Sequence, residues 1–363
     1  MVALASVGVA AGYTFHAARA SNSRAAPERT APIPATPSPA ASSPAESRAP
    51  SAATASIRPP EAQPRAARPP APPDRTAAKT YLIALNVRDS PDLGVAEYSA
   101  LDSIDARTVT GLRCERMYFA AGHGICLSRQ IKWFAAETIA TFTDDRFQPI
   151  FEVRTPGIPT RARIAPDGRR AAFTVFVTGH SYADAQLSTT TLLVDLVSRR
   201  SIANLEEFQV WREGKNVAAL DFNYWGVTFE QDSNFFYATL RTGGVNYLVR
   251  GDITARTVTI VLSGVECPSL SPDGTRVAFK TALARGDWRV AVLDLSTRQV
   301  VRLPESRSVD DQVEWLDNAR VLYAVPDPAP WMTIMVASAD GRTQPAVFVR
   351  GAASPAVVTA FRP

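Results

Sequence analysis

One segment of the sequence has the spacing of a hydrolase nucleophile. Gly179-His180-Ser181-Tyr182-Ala183 follows a predicted strand and lacks only the second glycine of the G-x-S-x-G elbow of serine hydrolases. The run after it, AQLSTTTLLVDL, is β-rich, whereas such an elbow requires a helix. The three histidines are His16, His123 and His180, so none follows Ser181 to act as the base in the chain order Ser, Asp, His. We therefore interpret residues 178–190 as a long loop between two strands.

Carboxylates form the second group of residues that could bind an ion or take part in a reaction. Asp310, Asp311 and Glu314 lie together in SVDDQVEW, where Ca²⁺ could bind to their oxygens, and a solvated loop is the alternative. Glu266 with Asp310 or Asp311 could serve a glycan-acting enzyme, provided that the two carboxyl groups lie about 5–10 Å apart. No His or Cys cluster has the spacing of a zinc site, so we predict no metal site. Because the nucleophile elbow is also rejected, we predict no catalytic residue.

The three cysteines allow one disulfide. Cys114 and Cys126 flank a predicted hairpin, CERMYFAAGHGIC. They face each other if the turn centres on Ala120, whereas a turn at 122–124 would offset them. If they are bonded, the loop of about 13 residues predicts a stabilisation of roughly 3 kcal/mol. Cys267 is then expected to be unpaired and buried.

A repeated turn sequence organises the chain around these residues. SLSPDGTRVAFK (269–280) and RIAPDGRRAAF (163–173) share Pro-Asp-Gly followed by a strand pattern, and TFEQDSNFFYA and EWLDNARVLYA are weaker copies. The aligned aspartates Asp167, Asp232, Asp273 and Asp317 are 65, 41 and 44 residues apart. A period of about 40–45 residues with several short strands is typical of β-propellers. These aspartates are therefore predicted to form turns, and the long first interval predicts an insertion in that blade.

The strand patterns predict how the ring closes. The second to sixth units each offer four short strands, as a propeller blade requires, but the first offers only YLIAL, VAEYSAL and RTVTG. One strand pattern, ASPAVVTAF (353–361), is left at the end of the chain. Placing it innermost in the first blade leaves no strand over and pairs the exposed edges. We predict an all-β fold, a six-bladed β-propeller over residues 79–363 closed by its C-terminal strand.

The fifth unit carries a family resemblance. Its spacing of SPDG, VAF, VLDL and RLP resembles the TolB-like six-bladed propellers, over roughly residues 79–363. NYWGVTF, VECPSLSPDG, SVDDQVEWLD and SPAVV are similar to segments of secreted, actinobacterial-type TolB-like proteins of undefined role. The resemblance implies the fold but not a function, because propellers serve many functions. TolB's partnership with a peptidoglycan-binding lipoprotein depends on an N-terminal domain that this chain replaces with a linker, so it does not transfer.

The N-terminal part differs in composition from the rest. Residues 2–15 form an apolar run of signal-peptide length, followed by Ala-Arg-Ala, although no Lys or Arg precedes it. Residues 1–20 are therefore predicted to be a signal peptide or the remnant of a membrane anchor, with an Ala-rich disordered start as the alternative. Residues 21–78 hold 14 of the 28 prolines and few large apolar side chains, which predicts a disordered Pro/Ala-rich linker. Residues 79–363 contain 31 basic and 31 acidic residues, which argues against nucleic-acid binding.

The loops that enter the inner strands are the expected binding surface. Aligning the units places aromatic and polar residues at one rim of the channel, a composition suited to a peptide, a glycan or another protein. The candidate rim residues are Asn223, Tyr224, Trp225, Glu266, Asp310, Asp311, Gln312, Arg161 and Arg163. The alternative is that these groups only satisfy one another at the channel mouth.

These observations lead to one functional hypothesis and two rivals. We predict a non-enzymatic, monomeric propeller outside the cytoplasm that binds an envelope protein, peptide or glycan at this rim and meets the membrane only through its N-terminus. The rivals are a glycan-acting hydrolase or lyase and a structural envelope spacer. No cofactor is expected, apart from the Ca²⁺ considered above.

Overall fold

Short strands account for almost all regular structure. The computed structural model describes residues 79–132, 135–179, 182, 186–283, 286–327, 332–359 and 361. The predicted signal peptide or anchor (1–20), the predicted linker (21–78) and Ser181 lie outside the described residues. Two 3₁₀ turns, Leu101–Ser103 and Leu205–Glu207, lie between the strands. The described part of the chain contains no helix with the length and apolar character needed to cross a membrane.

Blades 1 to 3 are antiparallel four-stranded sheets, and each blade's strand order runs from the channel outward. Blade 1 has the order β26-β1-β2-β3, blade 2 the order β4-β5-β6-β7, and blade 3 the order β8-β9-β10-β11. Their strands are β1 (Thr80–Asn86), β2 (Val95–Ala100), β3 (Thr108–Arg113), β4 (Arg116–Ala120), β5 (His123–Lys132), β6 (Ala135–Thr143), β7 (Pro149–Pro156), β8 (Ile158–Ile164), β9 (Arg170–Thr178), β10 (Ser188–Asp195), β11 (Arg200–Asn204) and β26 (Ala352–Thr359).

Blades 4 to 6 follow the same plan, with one addition. Blade 4 has the order β14-β15-β16-β17 and is extended at its outer edge by β12 and β13. Blade 5 is β18-β19-β20-β21 and blade 6 is β22-β23-β24-β25. Their strands are β12 (Gln209–Arg212), β13 (Lys215–Val217), β14 (Asn223–Phe229), β15 (Phe235–Thr242), β16 (Val245–Asp252), β17 (Thr257–Ser263), β18 (Glu266–Leu270), β19 (Arg276–Ala282), β20 (Trp288–Asp294), β21 (Val300–Arg302), β22 (Glu314–Trp315), β23 (Arg320–Pro326), β24 (Met332–Ser338) and β25 (Ala346–Arg350).

The position of a strand in its blade explains its sequence. Strands near the channel are covered on both faces by the neighbouring blades, so β9, the second strand of blade 3, carries the nearly continuous apolar run AAFTVF, all of it buried. Outer strands meet solvent, and β3 has no buried residue. The predicted six-bladed, all-β architecture is therefore confirmed, and so are the strand patterns that define it.

The repeated aspartates are turn formers. The Asp167, Asp232, Asp273 and Asp317 Oδ1 atoms each accept the backbone N–H of the second residue after them, at 2.8–3.0 Å. This contact closes an Asx-turn between the first two strands of a blade. The prediction that these residues shape the backbone is confirmed.

The C-terminal strand closes the ring as predicted. β26 pairs antiparallel with β1, from Thr80 opposite Thr359 to Asn86 opposite Ala352. Just beyond it, the Phe361 ring packs edge-on against four aromatic rings of blades 1 and 2 at centroid distances of 5.2–5.5 Å. These rings belong to Tyr81, Tyr98, Phe119 and Phe147. The end of the chain is thus part of the core that joins blade 1 to blade 2.

The insertion lies elsewhere than predicted. The extra residues between Asp167 and Asp232 were expected to belong to blade 3, but β12 and β13 join the sheet of blade 4. β12 runs parallel to β17, with Gln209–Trp211 opposite Thr257–Thr259. The outer edge of β17 offers unpaired backbone groups, and β12 satisfies them.

A disulfide joins Cys114 to Cys126, with their Cα atoms 5.3 Å apart. The β4–β5 hairpin pairs Ala120 with His123, which places Cys126 opposite Met117 and so gives the offset arrangement. The bond forms even so, because Cys114 precedes β4 and is not bound by the register of the hairpin. Its N–H donates to the Gly94 carbonyl of blade 1 at 2.8 Å. The disulfide therefore connects two blades, and Cys267 is unbonded and buried.

Loss of the closing strand should prevent folding. We expect a chain truncated after Arg350 to show no cooperative thermal transition, because β1 would lose its inner partner. Phe361→Ala should lower the free energy of unfolding by about 3–5 kcal/mol. Truncation after Phe361 is the matched control and should unfold like the full chain. A cooperative transition at the full-length temperature in the Arg350 truncation would refute closure by β26.

Removing the disulfide should destabilise the protein measurably. The Cys114→Ala/Cys126→Ala variant is expected to lose about 3 kcal/mol of unfolding free energy in urea titrations, because its unfolded chain is no longer constrained. Reductant should lower the stability of the parent protein and leave that of the double variant unchanged. Equal stability of the parent and the variant under oxidising conditions would contradict the expectation.

Candidate functional site

The six inner strands surround a channel with two distinct ends. We call the end at which the chain enters these strands the mouth face, formed by residues 113–116, 156–158, 218–223, 263–266, 303–313 and 350–352. The opposite end, which carries the four Asx-turns, is the turn face. Eight of the nine residues of the predicted rim lie on the mouth face or within the channel below it, and Tyr224 packs between blades 3 and 4.

A buried ion pair crosses the channel. Arg163 Nη1 donates to Glu314 Oε2 at 2.6 Å, and both side chains are 7% exposed. Arg163 also donates to the Ser269 hydroxyl and the Val313 carbonyl. Because Arg163 lies in blade 3, Glu314 in blade 6 and Ser269 in blade 5, one guanidinium links three blades.

Glu314 connects the ion pair to blades 1 and 2. The Tyr118 hydroxyl of blade 2 donates to Glu314 Oε1 at 3.1 Å, and the Val357 N–H of β26 donates to the same atom at 3.3 Å. Burial raises the pKa of Glu314, and the nearby Arg163 opposes that shift. Charges taken out of water are tolerated only when they are paired and hydrogen-bonded, as they are here.

A second charged layer lies nearer the mouth. Arg161 and Arg163 are two residues apart on β8, so their side chains leave the same face of the strand, into the channel. Arg161 Nη2 donates to Asp310 Oδ1 at 3.1 Å and to the Asp310 carbonyl at 2.8 Å. Lys280 Nζ donates to the same two atoms at 2.8 and 3.3 Å. One residue of the 303–313 loop is thus held by two cations from different blades.

The electrostatics of this layer favour an ionised Asp310. Loss of surrounding water raises its pKa, but Lys280 and then Arg161 outweigh that effect and lower the pKa to about 2. The Lys280 side chain is fully buried and that of Arg161 is 5% exposed, whereas that of Asp310 is 52% exposed. The cations are therefore fixed inside the fold, whereas part of the Asp310 side chain reaches the solvent.

Aromatic rings surround the two cations. Tyr182 stacks on Trp225 with centroids 4.8 Å apart, and its hydroxyl lies 2.7 Å from the Thr160 hydroxyl. Arg161 lies over the Tyr182 ring at 5.0 Å, and Lys280 lies 4.9 Å from the Trp288 ring. Trp288 Nε1 donates to Glu266 Oε2 at 3.2 Å. We call these seven residues, Arg161, Tyr182, Trp225, Glu266, Lys280, Trp288 and Asp310, the mouth cluster.

Close approach of two inner strands explains part of this packing. Gly226 has φ +63°, and a Cβ there would lie 2.6 Å from Cys267 Cα. Only glycine permits β14 and β18 to approach this closely. Cys267 itself has φ +48°, so both strands bend at the same level of the channel. The bend lets Trp225 pack with Cys267 and Trp288 in one buried cluster.

The structure corrects five of the rim assignments. Tyr224, Trp225, Glu266, Arg161 and Arg163 were predicted to form an accessible rim, but all five are buried. Tyr224 packs in the core of blades 3 and 4, and Trp225 lies beneath Tyr182. The aromatic residues therefore support the fold and are not a contact surface in this conformation.

The other four rim residues reach solvent. Asp310 is exposed, and Asn223, Asp311 and Gln312 are half-buried. Asp311 Oδ2 accepts the Ser354 N–H at 2.8 Å, and Asn223 Oδ1 accepts the Thr189 N–H at 2.8 Å. These contacts fix two of the exposed polar residues on the mouth face.

Three members of the mouth cluster were missed by sequence reasoning. Lys280 ends the apolar strand pattern RVAFK, and a lone cation in an inward-facing strand position was an available signal. Tyr182 lies in the loop examined for a nucleophile, and Trp288 begins a strand that was read as framework. Neither aromatic residue carries a sequence signal for the channel.

A bound cation is not supported by the donor set at Asp310. Among the described residues, no three His, Cys, Asp or Glu side chains come together in a way that could hold a metal ion. The carboxylate that was considered for Ca²⁺ is already engaged by Lys280 and Arg161. Positive charges at this distance would repel a metal ion.

Breaking the buried ion pair should cost more than removing it. Arg163→Met is expected to lower the unfolding free energy by about 3–5 kcal/mol, because Glu314 is left buried without its partner. The pKa of Glu314 is already raised by burial. In this variant the Glu314 carboxyl binds its proton more tightly in the folded protein than in the unfolded chain. The loss of unfolding free energy should therefore be greater at pH 8 than at pH 5.

The matched control replaces both charges. In Arg163→Met/Glu314→Leu, most of that loss should be recovered, and the difference between pH 8 and pH 5 should disappear. Urea titrations at the two pH values provide the measurement. A double variant as unstable as the sum of the two single variants would show that the pair is not the source of the effect.

Comparisons with known proteins concern the fold alone. No family model matches the sequence, and no curated protein matches it. TolB from Acinetobacter baumannii is similar in structure, with 16% identity and a TM-score of 0.53. The match covers 77% of this chain and 66% of TolB, just under two thirds of its length.

Two further solved structures are less similar. A TolB structure from Agrobacterium tumefaciens has 12% identity and a TM-score of 0.44, covering 75% of this chain and 89% of that one. An oligogalacturonate lyase from Vibrio parahaemolyticus has 10% identity and a TM-score of 0.43, covering 70% of each chain. The ring of six blades and the similarity to the Acinetobacter protein show that this chain has the fold of the TolB-like six-bladed β-propellers.

Proposed function

We propose that the protein is a non-enzymatic binding protein that receives a protein, peptide or glycan partner on its mouth face. The observation that carries the proposal is the mouth cluster. Two buried cations hold a solvent-exposed acidic residue at the centre of the ring, and half-buried polar side chains lie on the same face. Binding surfaces on propellers are formed by loops positioned on a rigid scaffold, as these are.

The state of the channel carboxylates argues against the enzymatic alternative. A glycosidase needs one carboxylic acid that can donate a proton near neutral pH. The low pKa of Asp310, about 2, keeps it ionised. Glu314 lies beneath it in a buried ion pair, and Glu266 is buried and accepts the Trp288 indole N–H. These contacts argue against Asp310, Glu266 and Glu314 as the acid of a glycan-acting hydrolase.

A location outside the cytoplasm is part of the proposal. The Cys114–Cys126 disulfide supports it, because disulfides persist in oxidising compartments. The predicted signal peptide or anchor agrees with this location. A passive envelope spacer would need neither buried cations at the mouth nor an exposed acidic residue held between them.

Site-specific crosslinking in the native host tests which face binds. A photoreactive benzoylphenylalanine at Gln312, on the mouth face, should give a discrete crosslinked product. The matched control places the same residue at Val197, which is 75% exposed on the turn face. We expect no discrete product from Val197. Equal products from both positions, or none from Gln312 in a variant that melts normally, would contradict the proposed function.

A further inference from the structure

We propose that the mouth face recognises an acidic peptide and that Asp310 occupies its carboxylate position in the free protein. This inference rests on the proposed function and specifies the partner's chemistry. An aspartate or glutamate of the partner would replace Asp310 between Arg161 and Lys280. The 303–313 loop would release the site when the partner binds.

The geometry of the present contact is that of peptide recognition. Arg161 and Lys280 each contact two atoms of the same residue, the side-chain Oδ1 and the main-chain carbonyl of Asp310. A carboxylate next to an amide carbonyl is a feature of an acidic peptide, and a uronic acid such as glucuronate lacks that carbonyl. This pairing favours a peptide over a uronic acid.

Burial is unequal between the two sides of the contact. The Lys280 side chain is fully buried and that of Arg161 nearly so, while half of the Asp310 side chain is exposed. Buried cations without a counter-charge are costly, so the position between them must hold an anion. The cations cannot leave without disrupting two blades, but Asp310 lies on a loop outside the strands. Exchange of one anion for another is therefore the change that costs the fold least.

Asp310 also leaves donors of the cluster unsatisfied. Arg161 Nε and Trp225 Nε1 are buried and have no hydrogen-bond partner among the described residues. Both side chains lie against the Tyr182 ring, at 5.0 Å for the guanidinium and 4.8 Å for the indole. A buried donor without an acceptor costs about 1–3 kcal/mol. A ligand with an additional acceptor oxygen between the two cations has the Arg161 Nε donor to gain.

The charge balance favours an anion after Asp310 moves. Arg116, Arg161 and Lys280 all lower the pKa of Asp310, so three cations act on this position. Glu266, the other carboxylate of the mouth cluster, lies opposite Lys280 in the β18–β19 pairing. Asp311 does not replace Asp310, because its carboxylate is held by Ser354. With Asp310 displaced, Arg161 and Lys280 lose the carboxylate that they share.

The test compares a minimal acidic peptide with its neutral isostere. The probes are acetyl-Ala-Asp-Ala-amide and acetyl-Ala-Asn-Ala-amide, titrated calorimetrically into the full chain and into Asp310→Ala and Asp310→Asn. Removing the internal competitor should strengthen binding of the Asp peptide by about tenfold or more in both variants. The Asn peptide should bind weakly throughout. Adding Lys280→Gln to Asp310→Ala should abolish the gain, provided that the melting temperature shows a folded protein.

The outcomes separate this inference from the proposed function. Equal binding of the Asp and Asn peptides to both Asp310 variants would overturn the inference. Glucuronate binding as tightly as the Asp peptide would overturn the assignment to a peptide. If the Gln312 crosslink persists in the presence of saturating Asp peptide, the mouth face binds a partner by other chemistry, and only this inference fails. Competition of that crosslink by the Asp peptide and not by the Asn peptide would support it.

Discussion

The antiparallel pairing of β26 with β1 is the interaction on which the rest of the structure depends. It converts an open row of blades into a ring, and it also supplies two backbone donors to the channel. The Val357 N–H contacts Glu314, and the Ser354 N–H contacts Asp311. The strand that closes the ring therefore also positions two acidic residues of blade 6. The same strand pairing therefore closes the ring and positions acidic side chains in the channel.

The ring is closed at its centre by charge as well as by apolar packing. Apolar side chains at the centre could give equal or greater stability, since buried ion pairs rarely add net stability. The lower pair, Arg163 and Glu314, is enclosed, and its hydrogen-bond partners Tyr118, Ser269 and Val357 come from three further blades. The upper pair of cations shares one exposed carboxylate and leaves two buried donors without partners. The two layers thus differ in the exposure of the carboxylate: Glu314 is enclosed, whereas half of the Asp310 side chain is exposed at the mouth.

The two ends of the propeller use aspartate for different purposes. On the turn face, the four repeated aspartates accept backbone N–H groups within their own turns, so they shape the chain locally. On the mouth face, Asp310 contacts side chains from blades 3 and 5, far away in sequence. Repetition separates the two uses, because an architectural role recurs in several blades and the role of Asp310 does not.

The sequence by itself determined the blade count, the strand patterns, the closing strand and the role of the repeated aspartates, because turns and strands depend on neighbouring residues and recur at a regular spacing. It also brought Arg161 and Asp310 into one set of candidates. Only the tertiary structure decided which of these residues are accessible. Trp225 is buried because Tyr182 stacks on it, and Lys280 becomes a partner of Asp310 across 30 residues of chain. Burial and charge pairing are set by distances between blades, and no local pattern in the sequence encodes those distances.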